Sequence, residues 1–232
     1  MINLAIIPAR SGSKRLKNKN IINFAGKQMI YWPIKELKKI KLFDSIYVST
    51  DSFLIQKIVK KLGVNAPFLR PKKISNDHAT TIEVVKHFIQ YLEDKKIPFD
   101  NICCVYPTSV FIQSKTIIRA YKKLLLNKNK FIFSAQKIDK RIQRSFYINK
   151  DTKKINFLFP NQIKSRTQDL QNTYIDAAQF YWGTKNNWIK KKNILSSNSA
   201  FVEINSELVN DIDNLEDYNK ALIKFKKYYL KK

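Results

Sequence analysis

The residues best suited to chemistry stand near the start of the chain. Arg10, Ser11, Gly12, Ser13, Lys14, Arg15, Lys17, Lys19 and Asn20 follow an apolar run, residues 4–7, that breaks at Pro8. A buried strand running into a loop of hydroxyls, one glycine and five cations suits a polyphosphate. The glycine lets backbone approach the ligand, N–H and O–H groups donate to phosphate oxygens, and the cations offset charge. The loop is neither G-x-x-x-x-G-K-[ST] nor G-x-G-x-x-G. Loop chemistry alone leaves a solvated basic turn as the alternative.

A second constellation lies near the other end. Asp211 and Asp213 form a D-x-D. Carboxylates at i and i+2 on a strand end or loop can share one hard cation, and Mg²⁺ combines them with phosphate oxygens and waters. Alternatively, Asp213 with Glu216 three residues later resembles a capping box that starts the last helix. Arg70 precedes Pro71, which holds it in extended backbone. It is placed either for a nucleotide or for a structural salt bridge.

The elements that must position these residues alternate. Strands are expected at residues 4–7, 44–51, 101–106 and 131–135, and helices over 29–40, 53–62, 83–92 and 114–126. This order argues for a parallel α/β sheet with right-handed crossovers. Asp51 or Ser52 caps the second helix and Gly63 ends it. Ligands of such sheets sit at the carboxyl ends of the strands. The loops after Ile7, Thr50, Phe68, Tyr106 and Tyr181 should therefore share one rim. Residues 140–175 break the alternation and read as an antiparallel excursion, a β-arm. A strand at 176–183, a short helix at 185–191 and a strand at 200–203 follow. A terminal helix over 215–228 then turns Leu215, Tyr218, Leu222 and Phe225 inward.

A chain of 232 residues with 44% hydrophobic content is long enough for one domain, taken as residues 1–232. No apolar run reaches membrane-spanning length and no leader-like segment opens the chain, so the expected compartment is the cytoplasm. The net charge of +26 is mostly lysine spread along the whole chain. It reads as a basic surface, not as a nucleic-acid site. Adjacent Cys103 and Cys104 point to opposite faces of one strand and read as core.

Several ordered motifs carry a resemblance. The opening Ile7-Pro8-Ala9-Arg10-Ser11-Gly12-Ser13-Lys14 with Lys19-Asn20 is similar to the signature of the CMP-sugar synthetases. These are the cytidylyltransferases that activate sialic and other nonulosonic acids. Further likeness lies in the segments at residues 43–51, 68–71, 75–77, 106–109, 166–170, 174–183 and 207–213. The usual form has a second glycine at Ser11. Tyr106 replaces the glutamine of the sialic-acid branch, and with the stretch at 176–183 it looks more like the pseudaminic acid branch. That branch typically has glycine at Ala178 and often histidine at Ile175.

The resemblance implies a Rossmann-like three-layer sandwich with a mostly parallel sheet and a small β-arm that pairs two subunits into a homodimer. The implied substrates are CTP and an acidic nine-carbon sugar. Arg10 and Lys19 would hold the triphosphate, and Ser13, Asn20, Arg70 and Asp77 the nucleotide. Tyr106, Arg166, Gln179 and Tyr181 would hold the sugar, Arg166 matching its carboxylate. Asp211 and Asp213 would hold Mg²⁺, with Asp211 also serving catalysis. Rival readings are a sialic, legionaminic or 3-deoxy-octulosonic acid as substrate, a nucleotide-sugar glycosyltransferase, and a polyanion-binding module.

Overall fold

The apolar runs at residues 4–7, 102–105 and 132–135 lie in the interior strands of a six-stranded sheet in the computed structural model, which describes residues 1–230. The strands are β1 (Asn3–Pro8), β2 (Asn23–Phe24), β3 (Lys27–Gln28), β4 (Ser45–Ser49), β5 (Asn101–Val105), β6 (Ile132–Ile138), β7 (Phe146–Ile148), β8 (Ile155–Phe157), β9 (Thr173–Thr184) and β10 (Ala200–Ile204). The helices are α1 (Tyr31–Lys38), α2 (Phe53–Lys61), α3 (Thr81–Asp94), α4 (Ser114–Leu126), α5 (Lys185–Lys190) and α6 (Leu215–Phe225). The main sheet runs β10-β6-β9-β5-β1-β4. Pairs β1–β4, β1–β5 and β6–β10 are parallel, whereas β9 is antiparallel to both β5 and β6.

The sheet is buried on both faces, so its strands read as continuous apolar runs. Ala5, Ile7, Cys103, Val105, Phe180 and Trp182 face the layer of α1, α2 and α4. Leu4, Ile6, Ile102, Cys104 and Tyr181 face α3 and Trp188 of α5. Cys103 and Cys104 thus part to opposite faces, as period-two alternation requires. Fully burying a side chain such as Phe88 contributes about 1.5–3 kcal/mol. A third cluster, with Leu16, Phe24, Met29, Phe111, Ile212 and Phe225, packs α6 under the basic loop. Ile212 is fully buried between Asp211 and Asp213 and fixes where the two acids emerge.

The caps differ in part from expectation. Ser52 caps α2, accepting from the Ile55 N–H, and Gly63 takes a left-handed φ of 66° at the helix end. Thr80 and Glu83 form a capping box on α3. The box on α6 is made by Asn214 and Asp217, not by Asp213 and Glu216. Neither acid of the D-x-D is therefore used as a cap. Leu215, expected inward, is exposed, because the apolar stripe of α6 is centred on Ala221 and Phe225.

Strand β9 departs most from expectation. Because it runs antiparallel, its carboxyl end after Tyr181 lies at the far rim, paired with Asn101. Its first half, not its last, reaches the rim where β1 and β5 end. A bulge opens opposite Ser134, between the Phe133–Tyr181 and Ala135–Asp176 pairs. There Ala178 adopts a φ of 48°, the left-handed region that favours glycine, and its N–H donates to Asp176 Oδ1 at 2.9 Å.

The β-arm forms as a hairpin of β7 and β8, pairing Phe146 with Phe157 and Ile148 with Ile155. Its apolar side chains, including Phe146, Tyr147, Ile148, Ile155, Leu158 and Phe159, are exposed. Among the described residues no helix is long and apolar enough to cross a membrane.

Candidate active site

The basic loop leaves β1 at Pro8 and is tied down at three points. The Ala9 N–H donates to the Ser49 carbonyl at 2.9 Å. Ser11 donates to Asp51 through its N–H at 2.8 Å and its hydroxyl at 2.9 Å. Asn20, buried, donates from Nδ2 to the Arg10 carbonyl at 2.8 Å. Asp51 thus braces the loop and does not cap α2. Ser11 stands outside the left-handed region, so a second glycine is not required there, and its hydroxyl adds an anchor that glycine lacks. A Cβ built on Gly12 would meet nothing, which leaves its backbone open to a ligand.

The loop walls an open cavity of about 660 Å³ at the carboxyl ends of β1 and β5, lined in part by Arg10, Ser13, Lys14, Lys19, Asn20, Arg70, Asp77, Tyr106 and Asp213. Two carboxylates hold its cations. Asp77 pairs with Arg10 at 2.6 Å and Lys14 at 2.7 Å. These two cations, Lys14 first, hold the Asp77 carboxyl down to about 2. Asp213 pairs with Arg15 at 2.5 Å and Lys19 at 2.9 Å.

Arg70 is buried, and its Nε donates to Ser75 Oγ at 3.0 Å. Its Nη1 is buried without a partner among the described residues. Burial pushes this guanidinium below its ordinary pKa, with Asp51 opposing the shift. Arg70 lines the cavity, while its Nη1 has essentially no accessible surface and sits sealed behind that wall.

Asp211 lines a small neighbouring cavity with Gln179 and Ala178, and Thr108 lines both cavities. Burial, then the Asp213 charge, pushes the Asp211 carboxyl above the ordinary range, with Lys19 opposing. Asp211 and Asp213, on either side of the buried Ile212, offer hard carboxylate oxygens. Together with phosphate oxygens and water they fit a divalent cation.

Three expected sugar residues lie elsewhere. Gln179 is buried behind the bulge, and its Nε2 donates to the Leu208 carbonyl at 2.6 Å, tying β9 to the segment that carries Asp211. Tyr181 packs in the core on the α3 side and donates to Asp176 Oδ2 at 2.6 Å, because the reversed strand carries it away from the rim. Arg166 is exposed on the segment after the hairpin, paired with Asp169 at 2.8 Å, and does not line the cavity of its own chain. Tyr106 does line it, with its hydroxyl 2.6 Å from Thr81 Oγ1. Thr81 was missed by sequence reading, since a threonine opening a helix looks like a cap and nothing more.

Residues 4–224 match the family model described as cytidylyltransferase. The chain is 38% identical over 226 residues to the pseudaminic acid cytidylyltransferase of Campylobacter jejuni, covering 97% of each. It is 35% identical over 210 residues to a Helicobacter pylori protein named as that cytidylyltransferase and a UDP-sugar hydrolase, covering 90% of this chain and 40% of the other. In fold it is similar to CMP:2-keto-3-deoxy-manno-octonic acid synthetase complexed with CTP, with a TM-score of 0.72 and 14% identity over 98% of this chain and 99% of that one.

The half-buried Asp211 carries a charge that the ligand-free fold does not favour. A carboxyl whose folded pKa lies above its unfolded value weakens the fold once it ionises, and the penalty fades as pH falls through that pKa. Asp211→Asn is therefore expected to melt above the parent at neutral pH in chelator. The gap should close as pH falls towards about 4, the ordinary carboxyl range. Thermal melts across that range check it, and a variant melting below the parent at neutral pH would count against the strained-carboxylate assignment.

Proposed function

The chain belongs to the cytidylyltransferase family, and from that premise we propose that it couples CTP to the nonulosonic acid pseudaminic acid, giving the CMP-sugar and pyrophosphate. The observation that carries the reading is that four of the five loop cations, Arg10, Lys14, Arg15 and Lys19, line one open cavity, each paired to a carboxylate of its own chain. Tyr106, in place of an amide-bearing residue, and the extent of likeness to the C. jejuni enzyme support the choice of sugar.

In this reading the sugar's anomeric hydroxyl attacks the α-phosphorus in line and pyrophosphate departs. Positioning and charge neutralisation do most of the work. Arg10 and Lys19 leave Asp77 and Asp213 for the triphosphate and stay with the leaving pyrophosphate. Ser13 and the loop backbone donate to phosphate oxygens, and Asn20 holds the Arg10 carbonyl so that the loop keeps its shape. Arg70 offers its guanidinium to the nucleotide from the cavity wall. Asp211 takes the proton of the attacking hydroxyl. Mg²⁺, held by Asp211 and Asp213, would supply charge neutralisation at the phosphates. The need for CTP supports a cytoplasmic place of work.

A homodimer completes the site in this proposal, with residues 1–232 acting as one domain. The exposed apolar hairpin of β7 and β8 supports it, since contiguous apolar surface of this kind marks an interface. Arg166, remote from its own cavity, would then serve the partner's sugar carboxylate. Sedimentation at micromolar concentration should give a dimer, and Ile148→Asp with Ile155→Asp should give a monomer of low activity. An active monomeric parent would remove the arm from the mechanism.

The sugar is tested by competition. With limiting CTP and equal pseudaminic and N-acetylneuraminic acids, CMP-pseudaminate is expected to dominate by roughly a hundredfold in kcat/KM, about 2.7 kcal/mol. CMP-N-acetylneuraminate as main product would overturn the sugar assignment and leave the cytidylyltransferase reading intact.

A further inference from the structure

Gln179 joins three segments around the site. Its carbonyl accepts from the Tyr106 N–H at 3.0 Å and from Ser109 Oγ at 3.0 Å, so it grips the loop that follows β5. Its own N–H donates to Ser134 Oγ of β6 at 3.2 Å. Its side-chain Nε2 donates to the Leu208 carbonyl at 2.6 Å, a short step before Asp211 in the chain. The next carbonyl, that of Val209, is held from the other side. Lys224 of α6 places Nζ 3.1 Å from it and 3.3 Å from the Ser206 carbonyl. Asn210 adds a bond from Nδ2 to the Asp217 carbonyl at 3.2 Å.

Ser206–Leu208 form a short 3-10 turn and Val209 is extended, outside the main sheet. The path of this segment therefore rests on side-chain donors that reach consecutive carbonyls, Gln179 from β9 and Lys224 from α6. An amide and an ammonium suit that task, since each carries several N–H donors. The buried Ile212 fixes the chain just after Asp211, and the two donors fix it just before. Neither Gln179 nor Lys224 lines the large cavity, and Gln179 meets Asp211 only at the small one. Both therefore stand outside the space that CTP would fill.

We propose that Gln179 and Lys224 are positioning residues that clamp residues 206–210 between β9 and α6, setting Asp211 against Asp213 for a divalent cation and against the loop of Tyr106 and Ser109. The inference rests on the proposed use of Asp211 but assigns two residues that the proposed reaction leaves without a role. A pair of carboxylates shares one cation only in a narrow range of placements, and the groups that orient metal ligands typically govern affinity by roughly tenfold to a hundredfold. The amide that the resemblance assigned to the sugar thus serves the metal acids instead.

Gln179→Met keeps the backbone bonds to Tyr106, Ser109 and Ser134 and removes only the side-chain donor. Lys224→Met cuts the other clamp at a half-buried position, and it decides the matter should Gln179→Met fail to fold. In the full-length protein, Mn²⁺ binding to the CTP complex, read by its EPR signal, should weaken at least about tenfold in each variant, and kcat should fall by a similar factor. CTP binding in chelator should stay within about twofold, since the loop cations lie outside the clamp. Lys224→Arg keeps a charged donor and should restore the parent. In an Asp211→Asn background, either clamp substitution should change the residual Mn²⁺ affinity by less than about twofold, because it acts through Asp211. A merely structural loss would add in full. Parent-like Mn²⁺ binding in Lys224→Met, an equal loss of CTP binding in chelator, or additive losses would overturn the inference. A parent that binds Mn²⁺ and CTP but turns over no nonulosonic acid would remove the proposed reaction, and the metal titrations would still decide the clamp.

Discussion

Cations crowded onto one short loop repel each other, and the site depends on how that repulsion is held. Arg10 and Lys14 share Asp77, while Arg15 and Lys19 share Asp213. Each carboxylate comes from a different part of the chain, one before α3 and one before α6. Both pairs are half exposed and contribute little to stability. Their effect is on placement, since they draw three segments around the same cavity and keep the cations oriented while no phosphate is present.

The sheet supplies the rest. Strand β1 lies between β4 and β5, so the loop after Pro8 can lean on Ser49 and Asp51 on one side and face Tyr106 on the other. The α6 cluster seats Ile212 and thereby fixes two acids that alternate around it. The Asn214 and Asp217 cap begins the helix without borrowing either acid. Asp211 is left with a carboxylate that burial disfavours, an arrangement commonly found where a group is kept for chemistry instead of stability.

The parallel strands, their helices and the basic loop were legible because buried runs and helical stripes are local patterns. The reversal of β9 was not. Residues 176–183 are equally apolar in either direction, and direction is set by which neighbours the strand pairs with. That reversal moved Tyr181 into the core and Gln179 behind the bulge. The left-handed Ala178 was half visible, as a position where glycine is usual in the resembling branch. Arg70 could be placed at the rim from its loop, but its idle Nη1 depends on burial by distant residues and has no signature in sequence.

The central claim is that Asp77 stands in for phosphate on the cations of the loop. Calorimetric titration of CTP into the parent, Asp77→Asn and Arg10→Ala tests it most directly. Removing the internal competitor should tighten CTP binding in Asp77→Asn, and removing its cation should weaken binding in Arg10→Ala by at least about tenfold, or about 1.4 kcal/mol. Weaker binding in Asp77→Asn together with unchanged binding in Arg10→Ala would contradict the account.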